Sequence, residues 1–502
     1  MFIIGAFKPE NDKILRRISY NIVTLIDNGA FDCYIIIELF RQSQKYRGNI
    51  MDKIRKFLIS DWYAALLLAG ACAVIFTGSE VLGTMLFALV IGITMALTDD
   101  LLPALEAIMV TACFAIRCKH SFDDFIKFWW LAPPIAALII FHFIYYRSPL
   151  KKGACFYGIL ATSAAVTLGG LGIITAREYF NPTALFYVFL LGFGMLIIYM
   201  YMSGALKMRE DYVFTDKFAR LMTLIIITLC ICIFEEYMSR RAELHGQFDI
   251  IPFQWRNNAS TLLMLAMPFP FYLSAKKFGW FFVGMLSYAA ILFSGSRGGM
   301  IFGAVELGIC FVVMFIIDKR HRPAIAIITA LCLSAAFLMR HFLFDMLSYT
   351  IERLMNPAEN AIRLELIPRG IEDFKANPIF GRGLGYMGNS DVHHNAEFTL
   401  CWYHCSPVQI IGSFGIVGVA AYGFLIYQRI RVFLKNFTFF NAVVFISYIG
   451  LEMMSFVNPG IFAPFPYLFL ATIYFVIIER CNNEDDKKAL SQLIKGQYGG
   501  KK

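Results

Sequence analysis

Apolar residues run in long stretches along most of this chain, each broken after about 16 to 23 residues by a short polar or charged group. A helix that crosses the hydrocarbon core of a bilayer needs about 17 to 25 such residues. Fourteen stretches qualify, near residues 62–78, 80–97, 101–116, 126–146, 153–175, 184–206, 217–234, 259–275, 278–293, 299–317, 324–343, 405–427, 437–455 and 462–478. Only Thr98, Asp99 and Asp100 divide the second from the third. The pattern predicts an all-α protein, a polytopic transmembrane helix bundle of about 14 helices with one long extracytoplasmic loop subdomain.

Sidedness tests that count, because one missed or invented helix would invert every later loop. With both termini in the cytoplasm, inside segments carry 31 of the 45 Lys and Arg, and six of the 14 outside fall between Arg340 and Arg382. The resulting divisions are 1–61, a cytoplasmic or interfacial N-terminal segment; 62–343, a bundle of about 11 helices; 344–404, an extracytoplasmic loop; 405–478, three C-terminal helices; and 479–502, a cytoplasmic tail. The first 50 residues contain Arg16, Arg17 and Arg41 but no spanning run. They read either as an interfacial helix or as a stretch preceding a translation start at Met51. No repeat of the kind found in two-half transporters is visible.

Composition agrees with the pattern. The 502 residues are 58% hydrophobic and only 16% charged, whereas soluble domains average about 25% charged. That excludes a water-soluble globular protein. A net charge of +9 would point to nucleic acid in a soluble chain; here it sets orientation, the bilayer is the partner and no nucleic acid is expected. Most of the twelve cysteines, including Cys72, Cys113 and Cys232, lie in apolar runs as small hydrophobes and say little about redox compartment.

Chemistry concentrates on the outer face. Ser294-Gly295-Ser296-Arg297-Gly298-Gly299 is a tight turn between two apolar helices. Arg297 is either a snorkelling anchor or an anion ligand; the glycine-rich backbone opening the next helix favours anion binding, and a guanidinium there can bond phosphate oxygens in pairs. In the long loop, Asn360 to Lys375 has helical apolar spacing with Arg363 and Arg369 among it, and Asn377-Pro378 ends it. The alternative is an amphipathic helix with solvated arginines. Gly381 to Gly385 follows no strand and reads as a glycine-rich turn, not a dinucleotide site. His404 stands beside Trp402 and Tyr403 at the membrane face, where partial burial keeps an imidazole neutral and able to accept a proton. The bland alternative is a surface histidine. A metal set of Asp391, His393, His394, Glu397 and His404 matches no standard ligand spacing, so no metal is expected.

Together these motifs resemble the O-antigen ligase and O-antigen polymerase family of bacterial membrane glycosyltransferases. The resemblance is carried by Trp255-Arg256-Asn257-Asn258-Ala259 leading into a helix with Pro268 and Pro270, the Ser-x-Ser-Arg-Gly turn at Ser294 to Gly298, and Arg363-Leu364, Pro378 and Gly381 to Gly385. His404, Gly415 and Gly418 complete it, with coverage of roughly residues 254 to 430. It implies a GT-C-like bundle. It also implies transfer of a glycan from a polyprenyl (undecaprenyl) diphosphate to an acceptor sugar hydroxyl on the outer face of the bacterial cytoplasmic membrane. The enzyme would be a surface polysaccharide or O-antigen ligase or polymerase, inverting, with no metal or other cofactor. Its acceptor would be a glycan, glycolipid or protein. His404 would be the general base and Arg297, Arg363, Arg369 and Arg256 the diphosphate ligands, supported by Ser296, Asn258, His394 and Glu397. The competing readings are a lipid-linked glycan flippase or other polysaccharide transporter, for which His142 and Glu306 are the ionisable groups inside helices, and a non-catalytic scaffold.

Overall fold

The structure, a computed structural model, describes residues 51–117, 122–170, 184–206, 213–241, 251, 253–338, 340–341, 348, 357–384, 386, 403–458 and 460–481. The chain divides into two compact units, Met1–Tyr63 and Ala64–Lys502. In the first, helix α1 (Met51–Ile59) carries an Arg55 to Asp52 ion pair at 3.9 Å, and the ring of Phe57 meets Tyr63 edge-on.

Helices continue through α2 (Asp61–Thr77), α3 (Glu80–Leu97), α4 (Leu102–Ala115), α5 (Ala132–Tyr146), α6 (Phe156–Gly170), α7 (Ala184–Ala205) and α8 (Phe214–Ser239). They are followed by α9 (Phe253–Ala266), α10 (Pro268–Ser274), α11 (Trp280–Ser294), α12 (Arg297–Ile317) and α13 (Arg322–Leu338). The loop helix α14 (Pro357–Ala376) precedes α15 (Ser406–Lys435), α16 (Phe439–Met454) and α17 (Phe469–Arg480). No strand occurs among the described residues. Each of the fourteen apolar stretches contains helix, and six helices are long and apolar enough to cross a membrane unaided: Glu80–Leu97, Trp129–Tyr146, Ala184–Ala205, Phe214–Ser239, Arg297–Ile317 and Ser406–Lys435. The chain is a helical, multi-pass membrane protein.

Charged side chains near the helix ends pair with one another. Among ends assigned inside, Lys276 Nζ lies 2.6 Å from Asp216, Lys217 Nζ lies 3.1 Å from Glu106, and Arg480 donates to the carbonyls of Ser203 and Leu206. Among ends assigned outside, Arg117 gathers Glu80, Glu235 and Glu236, and Arg240 joins Glu236 at 2.9 Å. Burial works against the Arg117 charge, but the two glutamates outweigh it and hold its proton more tightly than usual.

Two breaks in helices shape the second unit, and each exposes peptide groups that apolar surroundings cannot solvate. Pro268 and Pro270 part α9 from α10, and the Leu265 carbonyl beside the break accepts from Ser447 Oγ at 2.5 Å and Tyr474 Oη at 2.9 Å. The second break is inside α15 at Gly415, whose φ of 61° and ψ of −153° are not helical. A continuous helix would bond Ile416 N to Gly412 O and Val417 N to Ser413 O. Instead Ile416 N donates to Pro378 O (2.9 Å) and Val417 N to Ile379 O (3.1 Å), while Gly412 O accepts from Arg382 N (2.8 Å) and Ser413 O from Gly383 N (3.0 Å). The glycine-rich turn of the loop is thus threaded into the helix. Glycine is required on both sides: a Cβ on Gly381 would lie 2.3 Å from the Ser413 carbonyl carbon, and one on Gly415 would lie 2.5 Å from the Pro378 and Ile379 oxygens. Helix α6 closes in behind, since a Cβ on Gly169 would meet Ser413 O at 2.6 Å.

Gly415→Ala is expected to lower stability by about 2 kcal/mol or more, from a positive φ and a backbone clash. Gly423→Ala, on the regular part of the same helix with nothing within 4 Å of a new Cβ, is expected to be neutral or to stabilise by up to about 1 kcal/mol. Thermal unfolding in detergent checks the contrast, and equal melting temperatures for the two variants would show that the interlock does not bear on stability.

Candidate active site

The Ser-x-Ser-Arg-Gly turn is built by two local devices. Gly295, at φ 71°, ends α11 in the left-handed conformation, and Ser296 caps α12 by accepting from Gly299 N at 3.3 Å. The same Ser296 hydroxyl donates to Asn257 Oδ1 at 2.9 Å, which ties the turn to the opening of α9. A Cβ on Gly299 would stand 2.7 Å from Ser260 Cβ, so α12 can approach α9 this closely only with glycine there. Arg297 is the first residue of α12, half-buried, at the positive end of that helix's dipole. Arg256, also half-buried, precedes Asn257 on α9; Asn258 follows and accepts from Tyr467 Oη through its carbonyl at 3.0 Å.

On the loop side, α14 covers Pro357–Ala376, three residues earlier and one later than its apolar spacing predicts. Arg363 lies on this helix, but its side chain is outside the described residues. Arg369 pairs with Glu365 one turn back. Six positions separate the two arginines, about 120° around a helix, so they do not share a face. His394 and Glu397, together with Asp391 and His393, lie outside the described residues. Among the described residues no group of three or more His, Cys, Asp and Glu could hold a metal ion.

His404 follows the loop directly, half-buried, with a φ of 53° that few residues other than glycine adopt. Its neighbour Tyr403 is buried, with its amide donating to Gln409 Oε1 at 3.0 Å and its hydroxyl to Asp373 Oδ2 at 2.6 Å. One turn touches residues next to both proposed groups. Ser406 N, two residues past His404, donates to Ser455 O at 2.8 Å, and a Cβ on Gly298, one residue past Arg297, would lie 2.7 Å from Val457 Cγ2. The segment Ser455 to Val457 therefore touches both the arginine turn and the start of α15, two residues past His404.

Residues 281–423 match the O-antigen ligase family model. This segment belongs to the O-antigen ligase family. The O-antigen ligase segment includes the arginine turn, α14, the glycine-rich turn, His404, Gly415 and Gly418, and it begins after the Trp255 to Ala259 run. No match to the chain was found among curated proteins.

Several residues of the candidate site carry no signal in the sequence. Asn257, not Asn258, supplies the side chain that binds Ser296. Asp373, Gln409 and Tyr467 carry no signal in one dimension, because their partners lie 30, 6 and 209 positions away. His142, a candidate for a transport path, is instead a core residue with its nitrogens 2.6 Å from Met95 O and Tyr201 Oη. Glu306 is buried against Gly450, where a Cβ would lie 2.6 Å from its carboxylate.

Ser296→Ala removes a helix cap and the bond to Asn257, and is expected to cost about 1 to 2 kcal/mol. Asn257→Ala in the Ser296→Ala background should cost clearly less than alone, a coupling of about 1 kcal/mol measurable by a double-mutant cycle in thermal or denaturant unfolding. Strict additivity would break the link between α9 and the turn.

Proposed function

We propose that the protein transfers a glycan from a polyprenyl diphosphate, such as undecaprenyl diphosphate, to an acceptor sugar hydroxyl at the outer face of the bacterial cytoplasmic membrane. The observation that carries this reading is the O-antigen ligase match over 281–423, which takes in both the arginine turn and His404. Fourteen membrane crossings with both termini inside are part of the same proposal. They put these groups on the outer face.

The chemistry follows from charge. As the bond between sugar and diphosphate breaks, negative charge grows on the leaving phosphate, and cations fixed beforehand stabilise it most. Arg297, at the positive end of a helix dipole, is the principal ligand, and Arg256 near the start of α9 can share the load. Arg363 and Arg369 approach from the loop; Arg369 would exchange its Glu365 partner for phosphate. His404 takes the proton from the acceptor hydroxyl, which attacks the anomeric carbon from the face opposite the diphosphate. One displacement inverts the configuration and needs neither metal nor nucleotide sugar. Ser296 holds the turn, and Asn258, His394 and Glu397 support the site. The acceptor is a glycan, glycolipid or protein, and the product a surface polysaccharide or lipopolysaccharide.

Protein in liposomes, given lipid-linked glycan and acceptor, should form product. His404→Ala is expected to slow turnover by about 10² to 10⁴. Arg297→Ala is expected to lose at least as much as Arg297→Lys, which restores charge without the paired donors. A correctly inserted His404→Ala variant with full turnover would remove the histidine from the mechanism. Movement of donor across the bilayer without a new glycosidic bond would instead favour a flippase.

A further inference from the structure

We propose that Asp373 is the positioning residue of the site: through Tyr403 it locks the His404 backbone to the loop helix that carries Arg363 and Arg369. The inference rests on the reading of His404 as the base, and it assigns a role to a carboxylate that the reaction itself does not use.

The geometry carries it. Asp373 is buried near the end of α14, and its two oxygens face different partners. Oδ2 accepts from the Tyr403 hydroxyl at 2.6 Å, and Oδ1 lies 3.7 Å from Arg382 Nε, in the glycine-rich turn that fills the break in α15. Tyr403 is fixed at three points. Its hydroxyl is held by Asp373, its amide by Gln409 on α15, and its ring fits between two glycines, so that a Cβ on Gly370 or Gly412 would come within 3.1 Å of it. Leu366 and Val408 complete the packing. The next residue is His404, in a left-handed conformation that costs a non-glycine residue about 1 to 2 kcal/mol and persists only where the surroundings enforce it. Releasing Tyr403 lets that peptide relax, and a misplacement of about 1 Å at a reacting group can cost about a hundredfold in rate. Arg369 sits one turn before Asp373 on the same helix, so a single carboxylate sets the register between a proposed phosphate ligand and the proposed base.

The charge of Asp373 is incidental to this role; what matters is an oxygen that accepts from Tyr403. The test compares variants in liposomes with lipid-linked glycan donor and acceptor, measuring kcat and donor KM across pH, with the folded fraction from thermal unfolding in detergent. Tyr403→Phe and Asp373→Leu are expected to lower kcat by about tenfold to a hundredfold per folded molecule, with donor KM changed less than about threefold and the pH midpoint unmoved. Asp373→Asn keeps an accepting amide oxygen and is expected to retain most of the turnover. The proposal is overturned if Tyr403→Phe turns over fully, if Asp373→Asn falls as far as Asp373→Leu, or if the losses vanish once corrected for folded protein. His404→Ala, run alongside, separates the levels: an inactive His404→Ala with a fully active Tyr403→Phe sinks only the positioning role, whereas an active His404→Ala sinks the base beneath it.

Discussion

A helix interrupted inside an apolar phase must find partners for the peptide groups it frees, each of which otherwise costs several kcal/mol. Here two rungs of α15 are removed at Gly415 and four bonds to residues 378–383 replace them. The loop is therefore held against the membrane helix by main-chain hydrogen bonds, in a register that side-chain substitutions elsewhere can hardly shift. Everything proposed for the loop depends on that attachment. The arginines of α14 lie before the threaded segment, and His404 stands two residues ahead of the broken helix.

Glycine enters this arrangement for want of space. Gly381 meets the Ser413–Phe414 backbone and Gly415 the Pro378–Ile379 backbone at distances no Cβ tolerates, and Gly370 and Gly412 leave room for a single tyrosine ring. In the arginine turn, Gly295 supplies a left-handed residue and Gly299 a close approach to α9. Glycines that look like loop punctuation in one dimension are the points where separate segments touch.

The helices were legible because apolar run length is a direct consequence of bilayer thickness, and α14 because its apolar spacing ends at Asn377-Pro378. The break in α15 was not legible: residues 405 to 427 read as one span, since hydropathy averages over a single glycine. The glycine-rich turn was recognised as a turn, but its partner in α15 could not be, because backbone pairing leaves no side-chain pattern. The bond from Ser296 to Asn257 was hidden for a related reason, as the face of α9 that meets Ser296 goes with Gly299 packing on Ser260. Asp373 carries no mark in the sequence; only the tyrosine 30 positions later explains its burial.

The break between α9 and α10 has a bearing on time as well as on shape. The Leu265 carbonyl is bonded by Ser447 and Tyr474, 182 and 209 residues further along, and Asn258 by Tyr467 at a similar remove. Until those residues have been synthesised, the start of α9 and the proline break beneath it lack their final hydrogen-bond donors. The arginine end of the site is thus completed only by residues close to the end of the described chain.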